Sequence, residues 1–142
     1  KYRWHKEQIS HTKREKQIHT LSTIHQNLLK ELDFEISQDT LNIHSKIFLR
    51  EYTYTLNFFK EIENHFKKIL KGNKTKKIYE VKTLEKTIGE LFFSITNNFI
   101  TKRINVYKFY KESELSKFYV PKLSTRIFFK IKLFMVFLLN RN

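Results

Sequence analysis

The stretch from Leu41 to Gly72 constrains the fold more than any other part of this chain, because its apolar residues recur every three or four positions. That spacing places them above one another on one face of an α-helix. These apolar positions are Phe48, Leu49, Tyr52, Leu56, Phe59, Ile62, Phe66, Ile69 and Leu70. Asp39 or Thr40 can cap the start, and Gly72 can close the end in the left-handed conformation. The pattern predicts one helix of about 28 residues, roughly 40 Å long.

Two more amphipathic segments flank this stretch, one over about 14–33 and the other over about 83–101. Their apolar positions, again spaced by threes and fours, are Ile18, Leu21, Ile24, Leu28, Leu29 and Leu32, then Leu84, Ile88, Leu91, Phe92, Ile95 and Phe99. The polar segment 33–39 predicts a short connection, and therefore an antiparallel hairpin between the first segment and the central helix. Gly89 costs a helix interior roughly 1 kcal/mol relative to alanine, so we expect it to allow close approach of another helix.

The C-terminal segment has a different period. From Ile127 to Leu139 every second residue is apolar, which is typical of a β-strand, and Pro121 ends any helix before it. A second short strand is predicted over 78–81, and 102–110 fits either a strand or a helix extension. A transmembrane helix needs about 20 apolar residues, and the C-terminal segment is shorter and interrupted by lysines.

The predicted fold class is therefore mainly α, a long helical hairpin plus a third helix, with a short β element near the C-terminus (α+β). The end of the C-terminal strand is apolar on both faces, so we expect a neighbouring chain to cover it. Together with the overlong central helix, this favours a subunit of a large assembly.

The net charge of +14 is distributed unevenly along the chain. Residues 1–30 carry a net +5 and residues 100–142 a net +8, whereas residues 31–70 carry a net −2. A uniform lysine bias would spread the charge evenly. The basic ends therefore predict a polyanionic partner, either nucleic acid or anionic lipid.

A single domain is expected over 1–142, with a basic N-terminal arm (about 1–16) and a basic C-terminal extension (about 102–142). Cations in the arm are interleaved with aromatic residues, so the arm can lie along RNA with a ring stacked on a base. A frayed helix start with Trp4 packed against a neighbouring helix is the open alternative. The predicted RNA-binding residues are Lys1, Arg3, Trp4, Lys13, Arg14, Lys16, Lys74, Lys76, Lys77, Lys102, Arg103, Lys122 and Arg126.

The motifs of common enzymes are missing from the sequence. The chain has no cysteine, so disulfides and thiolate chemistry are excluded, and it has no Gly-x-Ser-x-Gly, Walker or dinucleotide-binding motif. No two histidines have the i, i+4 spacing of a helical metal site. We predict a protein that is not an enzyme, with no catalytic residues, metal, cofactor or small-molecule substrate. The histidines, expected to face solvent or RNA, are His5, His11, His19, His25, His44 and His65.

Amino-acid usage adds a resemblance. The chain has two glycines, one proline and no alanine, while Lys, Asn, Ile, Phe and Tyr, which have AT-rich codons, are abundant. In this composition and charge layout it resembles organelle-encoded ribosomal proteins of AT-rich protist mitochondria. The resemblance implies a structural, rRNA-binding constituent of a mitochondrial ribosome, located in the matrix, with ribosomal RNA and neighbouring proteins as partners.

An accessory, non-catalytic subunit of a mitochondrial respiratory or ATP synthase complex is the alternative. In that hypothesis the last segment would lie at the membrane surface with Lys130 and Lys132 on lipid headgroups. Membrane contact is expected only under this alternative.

Overall fold

A computed structural model describes residues 8–33, 35–102 and 106–139; the side chains of 8–15, 17–19, 21 and 139 are outside that description. Within these residues the fold is helical, as predicted. The α-helices are α1 (Gln8–Glu31), α2 (Gln38–Leu49), α3 (Leu56–Lys76), α4 (Val81–Thr101), α5 (Tyr107–Glu112) and α6 (Leu123–Leu139). A 3-10 helix over Glu114–Lys117 lies between α5 and α6.

The prediction of one continuous helix over 41–72 is wrong. The N-terminal half, α2, ends at Arg50, a left-handed residue (φ 58°) whose backbone N–H bonds to the carbonyls of Ile47 and Lys46. The chain then runs without helical structure to Thr55, which caps α3 by accepting a hydrogen bond from the backbone N–H of Phe58 at 3.2 Å. The segment between α2 and α3 still buries apolar surface, because its aromatic residues pack against the core.

The predicted ends of that helix also differ from the structure. Ser37, and not Asp39 or Thr40, is the N-cap of α2, since its side chain accepts a hydrogen bond from the backbone N–H of Thr40. Gly72 lies inside α3, which continues to Lys76 and ends at the left-handed Lys77 (φ 54°). A third left-handed residue, Asp33 (φ 60°), follows α1.

The predicted strand over 127–139 is wrong, because this segment forms α6. Phe129, Leu133 and Val136, spaced as one face of a helix, pack against the core. Ile131, Phe134 and Met135 between them are also apolar but exposed, so apolar residues lie on both sides of the helix and its period is hidden. In the described part of the chain no strand forms.

The predicted strand over 78–81 is wrong for a different reason. The buried side-chain amide of Asn73 donates to the carbonyl of Tyr79 at 2.9 Å and accepts from its backbone N–H at 2.8 Å. These bonds satisfy the loop's backbone without a partner strand. Val81 then begins α4, where the Glu80 carboxylate accepts hydrogen bonds from the first backbone N–H groups. The Thr83 side chain, together with the backbone N–H groups of Thr83 and Lys82, holds the pKa of Glu80 below its ordinary value by hydrogen bonding to the carboxylate.

The core lies between α3 and α4 and is built from aromatic rings. Phe59, Phe66, Phe92 and Phe99 have almost no exposed surface. The Phe59 ring centroid is 5.1 Å from that of Phe92 and 5.3 Å from that of Phe99. α2 packs on α3 and on α1, while α5, the 3-10 helix and α6 pack on α4. No helix in the described residues has the length and apolar character required to cross a membrane.

Gly89 marks the closest approach of α4 to the segment before α6. A Cβ atom at Gly89 would lie 2.9 Å from the Cβ of Tyr119 and 3.0 Å from the Cβ and carbonyl carbon of Phe118. The expected close approach is therefore present, but the neighbour is the 118–119 segment and not another α-helix.

Gly89→Ala is therefore expected to destabilise the protein by about 1–3 kcal/mol through overpacking, although alanine alone would favour the helix by about 1 kcal/mol. Urea unfolding monitored by circular dichroism measures the change. Ser94→Ala, at an exposed position of the same helix, is the control and should be neutral or slightly stabilising. A Gly89→Ala protein more stable than wild type would contradict the close contact.

Candidate functional site

The described members of the predicted RNA-binding set are all exposed. Lys16 is on α1 and Lys102 is at the end of α4. Lys74, Lys76 and Lys77 lie at the C-terminal end of α3. Lys122 and Arg126 lie at the start of α6. Lys1, Arg3, Trp4 and Arg103 lie outside the described residues, as do the side chains of Lys13 and Arg14, so their roles stay predictions.

Few of these cations are neutralised within the chain. Lys76 forms an ion pair with Asp33 (Nζ–Oδ2 3.1 Å), and the Lys102 ammonium lies 5.7 Å from the ring centroid of Tyr54. Lys74, Lys77, Lys122 and Arg126 have no acidic partner among the described residues. Lys74 and Lys76 lie in the last turn of α3, where the helix dipole favours positive charge. These two lysines therefore also stabilise the end of α3, apart from any role in binding.

Sequence reasoning missed an aromatic pocket of about 220 Å³ between α4, α5 and α6. The rings that line it, which define the aromatic pocket here, are Phe93, Tyr107, Tyr110, Tyr119 and Phe129. Lys111, Arg126 and Lys130 also line it and are called the rim cations; all are exposed. Only Arg126 was in the predicted set. The tyrosines at 107 and 110, one helical turn apart and followed by Lys111, were the available signal.

Tyr110 is the most deeply buried hydroxyl-bearing ring of this pocket, with 9% of its surface exposed. Burial, with Tyr107 and Tyr119 near by, raises the pKa of Tyr110 to about 12. Its hydroxyl therefore keeps its proton at neutral pH. No hydrogen bond joins this hydroxyl to another described residue, so it is available to donate to a ligand.

A second cavity, of about 390 Å³, lies between α1, α2 and α3 and has a mixed lining. Asp33 and Glu35 line it together with Lys68 and Lys71. Opposite charges of similar number favour neither an anionic nor a cationic ligand.

The histidines at 44 and 65 are buried, so the prediction that they face solvent or RNA is wrong. His44 on α2 and His65 on α3 are 5% and 4% exposed, and His44 Nδ1 lies 2.9 Å from His65 Nε2. His25 on α1 is half-buried, with its ring centroid 4.6 Å from that of His44. Single histidines on three separate helices gave no pattern in the sequence, because only the packing of α1 and α3 against α2 brings them together.

Burial keeps this histidine pair neutral. Desolvation, with His65 and His25 near by, lowers the pKa of His44 to about 3. Desolvation and the charge of Lys68 lower the pKa of His65 to about 4. His44 Nε2 is buried and has no hydrogen-bond partner among the residues that the structure describes. The described His, Asp and Glu side chains form no group of three or more arranged to hold a metal ion.

The outward side of α6 is apolar, and no other part of the described chain covers it. Its members, here called the α6 outer face, are between 44% and 71% exposed: Leu123, Ile127, Phe128, Ile131, Phe134, Met135 and Leu138. Exposed apolar patches of this kind mark interaction surfaces. Lys132, expected at lipid headgroups together with Lys130, instead donates a hydrogen bond to the side-chain carbonyl of Asn97 on α4 at 3.1 Å.

Comparisons with protein-family models, curated proteins and solved structures found no match. Support for a function therefore comes from this chain's own residues. They offer exposed cations, a cation-rimmed aromatic pocket and an apolar outer face.

Proposed function

We propose that this chain is a structural, non-catalytic constituent of a mitochondrial ribosome that binds rRNA through its basic ends. The observation that carries the proposal is a set of exposed cations that have no acidic partner among the described residues: Lys74, Lys77, Lys122 and Arg126. Unpaired cations at a net charge of +14 favour a polyanion, and RNA phosphates meet that need with the release of counterions.

The α6 outer face supports membership of a large assembly. A row of large apolar side chains exposed along a helix favours burial against a neighbour, and subunits of large assemblies have neighbours on several sides. In the proposed ribosome, the cations contact RNA while the α6 outer face packs on an adjacent protein.

Gradient sedimentation of an organelle lysate, with and without ribonuclease, tests this function. We expect the chain to sediment with ribosomal particles and to leave them after RNA digestion. If it ignores ribonuclease and travels with detergent-solubilised membrane complexes, the ribosomal proposal fails.

The salt dependence of RNA binding tests the basic arm separately. Replacing Lys13, Arg14 and Lys16 together with glutamine should reduce the slope of log K against log salt by about 2–3 units. Each phosphate contact releases counterions when it forms, so a variant that makes fewer contacts releases fewer counterions on binding. Fluorescence anisotropy with labelled RNA over a range of salt concentrations gives the slope. The control replaces Lys82 and Lys86, exposed cations outside the predicted set. An equal slope in the arm variant and wild type would remove the arm from the RNA site.

The α6 outer face also favours a second candidate, an accessory subunit lying at the surface of a respiratory or ATP synthase complex. A helix with an apolar face and cations at its edge can lie in the interface of an anionic membrane, and Arg126 and Lys130 are exposed on α6. Co-migration with detergent-solubilised membranes, unaffected by ribonuclease, would favour this candidate over the first.

A further inference from the structure

The aromatic pocket presents ring surface to its opening. The Phe93 ring centroid lies 5.8 Å from that of Tyr119 and 5.1 Å from that of Phe129, so these rings form the inner wall. Tyr107 and Tyr119 are only half-buried. Each therefore keeps part of its ring accessible to a planar group entering the pocket.

The size of the pocket limits what can enter. Pockets for drug-sized ligands have volumes of roughly 300–1,000 Å³, and the aromatic pocket has about 220 Å³. It can take a single flat ring system, while the rest of a larger ligand stays outside.

The charge at the opening is positive. Lys111, Arg126 and Lys130 are exposed there, and none of the residues lining the pocket is acidic. The Lys111 ammonium lies 5.8 Å from the ring centroid of Tyr107, which places a cation directly beside an aromatic wall. A ligand with a flat aromatic part and adjoining negative charges matches this arrangement.

The interior of the pocket offers hydrogen bonding as well as stacking. The Tyr110 hydroxyl can donate to a ring nitrogen or carbonyl oxygen of a base. Sequence-tolerant recognition of single-stranded RNA uses this combination of rings for bases and cations for the backbone.

We infer that the aromatic pocket binds one unstacked base of single-stranded RNA, against Tyr107 and Tyr119, with the flanking phosphates on the rim cations. This inference rests on the proposed RNA-binding function and adds a base-binding site to it. It differs from simple phosphate neutralisation because it requires the base itself.

Binding of RNA with and without bases tests the pocket. The probes are a labelled single strand of about 12 nucleotides, comparable with the roughly 4–16 nucleotides covered by one single-strand-binding fold, and a strand of equal length whose central nucleotides are abasic. We expect the full chain to bind the base-containing strand about 5- to 100-fold more tightly, since stacking on aromatic rings supplies that difference.

Two variants and a matched control locate the effect. Tyr107→Ala should remove most of the preference for the base-containing strand and leave binding of the abasic strand unchanged. Arg126→Gln with Lys130→Gln should weaken both strands and reduce the salt slope by about 1–2 units. Lys82→Gln with Lys86→Gln removes the same charge outside the pocket, and should leave the preference for the base-containing strand unchanged.

The outcomes separate the pocket from the general function. If wild type binds both strands equally, or if Tyr107→Ala weakens both equally, the pocket inference fails while RNA binding stands. If wild type shows no salt-dependent RNA binding, the proposed function and the inference fail together. Photo-crosslinking of iodouridine-containing RNA to the wild-type chain needs no variant. Adducts at Tyr107 or Tyr119 support the pocket, and adducts confined to other regions overturn it.

Discussion

Replacing Phe59 with alanine is expected to lower the free energy of unfolding by about 3–5 kcal/mol, the range for truncating a buried phenylalanine. Phe59 has no exposed surface, and its ring packs between those of Phe92 and Phe99. The rigid helices around it can close only part of the space left behind. Since small domains are stable by about 5–15 kcal/mol in total, much of the folded population should be lost on mild heating. Urea unfolding measures the change.

Phe128→Ala is the matched control, because it removes the same side chain from a position that is 67% exposed. Surface changes of this kind alter stability by about 0.5 kcal/mol or less. If the two variants were equally stable, Phe59 would not be at the centre of the core.

Acidification should destabilise the protein through the histidine pair. Each of these histidines has a pKa near 6.5 in the unfolded chain and about 3 or 4 in the folded one. As the pH falls, the unfolded chain therefore binds protons before the folded protein does. The stabilisation from keeping the pair neutral is complete above pH 6.5 and is lost as the pH falls toward the folded-state pKa values. Between pH 7.5 and about pH 5, the free energy of unfolding should fall by about 4 kcal/mol, roughly 2 kcal/mol for each histidine.

Urea unfolding at a series of pH values measures this slope, and a variant isolates its origin. His44→Leu with His65→Leu removes both titrating rings and should flatten most of the pH dependence. Should that variant fail to fold, NMR titration of the wild-type histidine ring protons gives the pKa values directly. Midpoints near 6.5 for His44 and His65 would show that the pair is not buried as described.

Sequence periodicity located the helices well where one face of each was polar. The predicted segment 83–101 corresponds closely to α4, and the predicted segment 14–33 overlaps most of α1, which begins six residues earlier, because charged residues mark the outward face of each helix. The prediction of one helix over 41–72 is wrong because the spacing of apolar residues shows which side chains can be buried together. It does not show whether the backbone between them is helical. Tyr52 keeps the pattern but lies in a non-helical linker, where it and Tyr54 pack near Phe99 with ring centroids at 6.1 Å and 5.2 Å.

The C-terminal segment was misread because its outward face is apolar. A helix is recognised by the contrast between its two faces, and α6 lacks that contrast. The same lack of polar residues that concealed the helix produces the α6 outer face. The sequence also predicts a neighbouring chain that covers this segment, and that prediction is the same for a helix as for a strand.

Of the residues at the aromatic pocket, the sequence predicted one cation, and it predicted neither the other rim cations nor the pocket itself. Arg126 could be chosen from local charge alone. The aromatic pocket joins Phe93, Tyr119 and Phe129 from distant parts of the sequence, and the histidine pair joins α2 to α3 in the same way. Neither has a fixed spacing along the chain, so only tertiary packing brings its members together.

The left-handed residues Asp33, Arg50 and Lys77 show where the backbone of this fold is strained. Left-handed backbone costs a residue with a side chain roughly 1–2 kcal/mol, and glycine adopts it without that strain. Neither of the two glycines occupies such a position; Gly72 and Gly89 instead lie within helices. The fold therefore holds strain at three turns that a residue change could relieve.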